Sequence, residues 1–421
     1  MRFPKTLSLA VQGCAAFLLV VLSIAAVCVP AHAQSFTVLH TFTGGGDGAQ
    51  PQSGVTLDRA GNLYFTTLGG NGTVGKLSHR GSGWTLVTLH TFTGGADGQF
   101  PLARVVFGPD GKLYGTTQYG GAFNWGTLFT LTPPASVCGS VSCPWDERII
   151  HDFGPQGSDG TQPNYGDIIF DAAGSLYGAT LTGGHYGGGD CGEPGCGAVY
   201  QVTPVNGGWS ESVIYSFMPS SFFFPASGVT FDSAGNLLGT ATSGAKGAIY
   251  ALTPHNGSWS EATVYDFPNP SDGAFPRAGL TPDGAGNFFG ATSGSASLEY
   301  PSTVFELSPP ENFQVIYTFS FINDFWNGPQ ANLTLDPAGN IYGTTGSGGA
   351  FGHGNVFKLT RSNGGWTYSS LHDFTGGSDG SSPLSSVSID GSGNLYGTTS
   401  DGGLVTGSCP DGCGVVWEIT R

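Results

Sequence analysis

The stretch Val387-Ser388-Ile389-Asp390-Gly391-Ser392-Gly393-Asn394-Leu395-Tyr396-Gly397-Thr398-Thr399, followed after a Gly-rich loop by Val415 to Thr420, decides how this chain is read. Val387 to Asp390 alternates as a strand does, Gly391-Ser392-Gly393-Asn394 supplies turn residues, and Leu395 to Thr399 returns as a second strand. Val415 to Thr420 makes a third. The unit recurs along the chain, with its turn glycine at Gly61, Gly111, Gly174, Gly235, Gly286, Gly339 and Gly393, which makes seven copies. The returning strand reappears as Leu113-Tyr114-Gly115-Thr116-Thr117, Leu176-Tyr177-Gly178-Ala179-Thr180 and Ile341-Tyr342-Gly343-Thr344-Thr345, and the third strand as Leu128-Phe129-Thr130-Leu131 and Val356-Phe357-Lys358-Leu359. A fourth strand, often opened by Gly-Trp or Ser-Trp (Trp84, Trp209, Trp259, Trp366), closes on His/Tyr-x-Phe, as in Leu371-His372-Asp373-Phe374.

Four antiparallel strands repeated at roughly 50 to 60 residues suit a propeller blade, and the period is too long for leucine-rich or hexapeptide solenoids. The expected fold is all-β: a seven-bladed β-propeller of four-stranded antiparallel blades. Phe36 to Phe42 is a fourth-type strand and Val415 to Thr420 a third-type strand, so the N-terminal strand is expected to complete the last blade and close the ring. A glycine recurs inside the second strand at Gly115, Gly178, Gly239, Gly290, Gly343 and Gly397, which implies that neighbouring blades approach closely there. Phe65 breaks that pattern, so blade one is expected to pack differently.

Leu-Tyr-Gly-Thr-Thr, the Gly-Gly loop, the Val-Phe-x-Leu-Thr strand and Phe-Thr-Gly-Gly-x-Asp-Gly together resemble the GloVer tandem repeat of exported bacterial proteins, over essentially the whole mature chain. That family is defined by its repeat and not by an activity. Its members often carry a C-terminal surface-sorting segment, which is not seen here: the chain ends Glu418-Ile419-Thr420-Arg421.

Residues 1–33 read as a cleavable signal peptide, with basic Arg2 and Lys5, an apolar run from Ala15 to Val29, and Ala31-His32-Ala33 before Gln34. Val27 before Cys28 argues against a lipoprotein site. Residues 34–421 are expected to form a single propeller domain with no membrane span, secreted to the periplasm or the medium, and monomeric. The formal charge of −16 repels nucleic acid and anionic membranes and excludes both as partners. Six of the eight cysteines fall into the close pairs Cys138/Cys143, Cys191/Cys196 and Cys409/Cys413, read as local disulfides because no well-spaced histidine accompanies them.

Function is sought on the face shared by the loops from fourth to first strand and from second to third. The Gly-Gly-x-Asp-Gly loops place Asp47, Asp97, Asp159, Asp272 and Asp379 there, weak calcium candidates that read first as turn residues. No cofactor is otherwise expected. His40, His90, His151 and His372 share one repeat position with Tyr215, Tyr265 and Tyr317, which suits a stacked, hydrogen-bonding ring better than a metal ligand. Gly376-Gly377-Ser378-Asp379-Gly380 matches the nucleophile elbow in form only, since other copies put Gly46 or Ala96 at the serine. Residues that depart from the repeat are the binding candidates: Trp125, His185, Tyr186, Phe325, Trp326 and His353. No catalytic residue is assigned. The expected function is a non-enzymatic binding scaffold for a polysaccharide or an extracellular protein. The alternatives are an extracellular glycan hydrolase or lyase, for which His185, Asp190, Glu193 and Asp324 are the scattered off-repeat candidates, and a calcium-stabilised structural repeat protein.

Overall fold

Each hairpin of the repeat becomes the inner half of a blade in the computed structural model, which describes residues 34–421 apart from 82, 135–143, 155–158, 164–165, 186–194, 219–223, 243–245, 296–298, 309–311, 321–327 and 363. Blade one runs outward through Thr56–Leu57, Leu63–Thr67, Thr73–Arg80 and Gly83–Thr91, each strand antiparallel to the one before it. Six further sheets repeat this order, so the protein is a seven-bladed β-propeller. Blades three and four carry one additional short strand each, Gly160–Pro163 and Phe224–Pro225. Their second strands, Leu176–Gly183 and Leu237–Thr242, run on past the inner strand, and the additional length pairs the incoming chain.

The last blade joins the two ends of the described chain. Ser388–Ile389, Leu395–Thr399 and Val415–Thr420 supply its inner three strands, and Ser35–Thr41 adds the fourth, with Ser35 opposite Thr420 and Thr41 opposite Val415. The inner strands are only two residues long because the next residue, an aspartate in six blades, turns the chain at once. Asp58 accepts the backbone N–H groups of Ala60 and Asn62, the Asn62 side-chain amide and the Tyr64 hydroxyl. Asp336 and Asp390 do the same in later blades.

The glycine of the second strand has a different cause from the one expected. A Cβ on Gly115, Gly178, Gly239, Gly290, Gly343 or Gly397 would strike the ring directly opposite on the third strand of the same blade: Phe129, Tyr200, Tyr250, Phe305, Phe357 or Trp417. The close approach is therefore within a blade, not between blades. Blade one keeps the same pair with its partners exchanged, since Phe65 on the second strand lies over Gly75 on the third. The nested ring in turn forms the seam, because the buried phenylalanine ending the previous blade packs edge-on or tilted against it. Phe42 on Phe65, Phe92 on Phe129, Phe153 on Tyr200, Phe217 on Tyr250, Phe267 on Phe305, Phe319 on Phe357 and Phe374 on Trp417 have centroids 5.0 to 6.2 Å apart. Each of the seven buried clusters spans two adjacent blades, so the hydrophobic core is a ring of seams. Trp84, Trp209, Trp259 and Trp366 close the outer part of these seams against Tyr396, Tyr114, Tyr177 and Phe289 of the preceding blades.

Cys409 and Cys413 form a disulfide, and Cys196 is disulfide-bonded as well. Cys138, Cys143 and Cys191 lie outside the described residues. No described helix is long and apolar enough to cross a membrane.

Candidate functional site

Two positions before each inner strand the chain passes the centre of the ring, and the repeat column there reads Gly54, Arg104, Asp167, Gly228, Gly279, Asn332 and Ser386. Two residues earlier stand Gln52, Arg277 and Gln330. These polar residues surround the narrowest part of a central channel. On one side, reached through the ends of the second strands, is a cavity of about 250 Å³ with Gln52, Arg277 and Gln330 in its wall. On the other is a cavity of about 530 Å³ lined by the inner strands, Thr56, Val106, Thr281, Thr334 and Ser388 among them. The waist between them, about 40 Å³, is walled by Arg104, Asp167, Arg277, Gln330 and Asn332.

Arg104 of blade two clamps Asp167 of blade three, with Nε 3.0 Å and a terminal nitrogen 2.5 Å from the same carboxylate oxygen. The other oxygen accepts the Arg104 backbone N–H at 3.3 Å. This charge-assisted pairing fixes the carboxylate in one orientation. Across the channel, the Asn332 carbonyl oxygen accepts the Gly279 N–H at 2.7 Å. Glycines allow these contacts: a Cβ on Gly228 would lie 2.3 Å from the Asp167 carbonyl oxygen, and one on Gly279 would lie 2.9 Å from Asn332. The waist thus presents two guanidiniums and amide side chains around one carboxylate, a set suited to the hydroxyl and carboxylate groups of a saccharide.

Of the residues expected to bind ligand, Trp125, His185 and His353 are described, and none belongs to the walls of this channel. Trp125 is half-buried against the cluster containing Leu128 and Phe153. His185 is exposed, its backbone N–H donating to Ser216 Oγ at 3.0 Å. His353 is exposed with Nδ1 3.2 Å from Ser381 Oγ. Tyr186, Phe325, Trp326, Asp190, Glu193 and Asp324 lie outside the described residues. The loop aspartates spend their oxygens on their own turns. Asp47 accepts the Thr43 backbone N–H at 2.9 Å, the Thr43 hydroxyl at 2.5 Å and His40 Nε2 at 3.1 Å. Asp159 and Asp379 face His151 and His372 in the same way, Asp97 stands 3.5 Å from His90 Nε2 without a hydrogen bond to it, and Asp272 accepts the Tyr265 hydroxyl at 2.7 Å. Burial opposes the charge on Asp47, Asp97 and Asp379, but the threonine donors outweigh it and hold all three carboxyls below the usual range.

A second column, four residues before those His/Tyr positions on the fourth strand, faces the preceding blade: Phe36, Leu86, Glu147, Glu211, Glu261, Phe313 and Tyr368. Phe36 stacks on His372 at 3.6 Å, Phe313 on Tyr265 at 3.8 Å and Tyr368 on Tyr317 at 4.8 Å. Glu147 and Glu211 take the place of such a ring, and burial pushes both carboxyls up to about 7. Neither this column nor the channel column was singled out from the sequence. Both could be found by aligning the seven copies and reading down each position for the residue that breaks its own column.

The sequence profile of the Gloeobacter/Verrucomicrobia repeat matches residues 27–193 and 190–409. No curated protein matches the sequence. Among solved structures, a gluconolactonase from Xanthomonas campestris is similar, at 13% identity and a TM-score of 0.43, over 92% of this chain and 89% of its own. A PQQ-bound aldose sugar dehydrogenase from Streptomyces coelicolor is similar at 13% identity and a TM-score of 0.42, over 92% of this chain and 98% of its own. By their names both are sugar-converting enzymes, a finding that stands against the expectation of a non-enzymatic binding scaffold. At this identity the likeness is one of fold, and their activities and residues are their own.

Proposed function

This chain belongs to the Gloeobacter/Verrucomicrobia repeat family, and from that premise we propose that it is an exported enzyme acting on glycans, a lyase that takes a carboxylate-bearing sugar in the channel cavity of about 250 Å³ with its reacting end at the waist. The observation that carries this reading is the waist, where Arg104, Arg277, Gln330 and Asn332 surround the single carboxylate Asp167. A glycoside hydrolase of the usual kind needs two carboxyl groups flanking the scissile bond. Among the described residues of the waist there is one. A β-eliminating lyase needs groups that neutralise the sugar carboxylate, which acidifies the adjacent C–H, and one base placed beside it.

In this reading Arg277 and the amides of Gln330 and Asn332 hold the uronate carboxylate. Asp167, kept in place by Arg104, takes the proton at C5. The electron pair of that C–H bond forms the C4–C5 double bond, the C4–O bond breaks, and the departing oxygen takes up a proton. Two guanidiniums against one carboxylate make the waist locally cationic within a chain of 13 Lys and Arg against 29 Asp and Glu. That contrast favours capture of an anionic group at this point.

The test is to incubate the mature protein with polygalacturonate, alginate and chondroitin sulfate and to follow the ultraviolet absorbance of the unsaturated product. New absorbance that Arg277→Ala abolishes supports the reading. Release of reducing ends without absorbance would make the enzyme a hydrolase, and no product from any carboxylated glycan would refute the assignment.

A further inference from the structure

Glu211 is an expensive residue where it stands. In three other seams its column holds a ring that stacks on the preceding blade, yet here a carboxylate faces His151 and Asp159, and its Oε1 is shielded from solvent without a hydrogen-bond partner. Phe153 packs edge-on to His151 and to Tyr200, so one wall of the site is apolar and rigid. One ligand atom from each of His151, Asp159 and Glu211 lies within 4.8 Å of the other two. Blade two contributes the imidazole on its fourth strand, the following loop contributes Asp159, and blade three contributes Glu211 on its own fourth strand. Only the closed seam brings the three together.

We propose that the outer edge of the seam between blades two and three is a binding site for a divalent transition-metal ion of the zinc type, held by His151, Asp159 and Glu211. One imidazole nitrogen and two carboxylates suit such an ion, which takes three protein ligands and a water at about 2.0 to 2.2 Å. Calcium, wanting six to eight oxygens and no imidazole, fits this set poorly. Two carboxylates balance the charge of the ion. Binding gives Glu211 Oε1 the partner it lacks, and replaces the present contact between His151 Nε2 and Asp159, 3.2 Å, by shared coordination. Asp159 keeps the Gly154 N–H at 2.9 Å, a donor that orients the carboxylate from behind. Because the ion would tie two blades together, it would stabilise the ring without touching the channel.

The neighbouring seam is a natural control. His90, Asp97 and Glu147 repeat the same three residue types between blades one and two, but His90 Nε2 stands 3.5 Å from Asp97, and the three do not share the tight cluster of their counterparts. The experiment is thermal unfolding of the tag-free mature protein, stripped with chelator and titrated with Zn²⁺ alone. Wild type should gain roughly 3–5 °C at about one hundred times the dissociation constant. Glu211→Phe, which introduces the ring that three other seams carry, should fold with an apo melting temperature at least equal to wild type and lose the Zn²⁺ response. Glu147→Phe should keep it. No rise in wild type, a rise preserved in Glu211→Phe, or a loss in Glu147→Phe would each overturn the assignment. Lyase activity, measured in parallel, should be unchanged in Glu211→Phe, so the outcome is independent of the proposed channel chemistry.

Discussion

Replacing Phe42 by alanine tests whether the N-terminal strand truly closes the ring. Phe42 follows Ser35–Thr41, is fully buried, and packs edge-on to Phe65 of blade one at 5.4 Å and to His40 at 4.9 Å. Truncating a buried phenylalanine costs about 3–5 kcal/mol, lost transfer energy and the residual cavity together. Phe374 supplies the benchmark. It occupies the same column, is equally buried, and packs against Trp417 at 6.2 Å, but the chain joins its strand to its own blade through an ordinary hairpin. If strand Ser35–Thr41 is bound as firmly as a covalently continuous one, Phe42→Ala and Phe374→Ala should destabilise within about 1 kcal/mol of each other, allowing for context dependence. Equilibrium urea unfolding followed by tryptophan fluorescence measures both, with the slope m unchanged if the folded state stays intact. A cost below about 1 kcal/mol for Phe42→Ala beside several for Phe374→Ala would show that the first strand frays freely, and the closure argument would fail.

Three further outcomes follow from the same contacts. Gly397→Ala places a Cβ 2.3 Å from the Trp417 ring and should cost about 1–3 kcal/mol in the same assay; in blade one, Phe65→Gly should be strongly destabilising and the exchange Phe65→Gly with Gly75→Phe should recover much of the loss. Burial opposes charge on Asp58, Asp283 and Asp336, but the asparagine side chains and backbone amides they accept outweigh it and hold the folded carboxyls below the usual value. Their stabilisation is therefore full above the ordinary carboxylate range and is lost as pH falls through the depressed values, so melting temperature should drop on acidification, and less steeply in Asp58→Asn. At the channel, Asp167→Asn should lower turnover of a carboxylated glycan by roughly 10²-fold or more while leaving the melting curve of the folded ring cooperative; normal turnover would remove Asp167 from the chemistry.

The repeat made the strands and the blade count readable because each depends on residues close together in the chain, and it made the closing strand readable because the strand types at the two ends complement each other, although Ser35 and Thr420 are 385 positions apart. An alternating run, a glycine turn and a returning Leu-Tyr-Gly-Thr-Thr specify a hairpin wherever they occur. The in-strand glycine was visible but its reason was not. Gly115 and Phe129 are 14 positions apart, and only the register shows that they face each other. The exchanged pair Phe65/Gly75 makes the same point, since the anomaly at Phe65 is answered at a position that looks unremarkable by itself.

The candidate site was less legible than the fold. Conspicuous aromatics on loops drew attention from the sequence, whereas Arg104, Asp167 and Arg277 are single polar residues in otherwise apolar or glycine-rich turns. Arg104 and Asp167 are 63 positions apart and on different blades, yet the ring sets them 2.5 Å apart. Glu211 likewise reads as an ordinary polar residue of an alternating outer strand until its inward face is known. By itself the sequence determined what local periodicity can encode: strands, turns, seven blades and an acidic surface. The tertiary structure alone decided which departures from the repeat meet, because convergence at the channel waist and across the seams arises only when the ring closes and brings the same column of every blade around one axis.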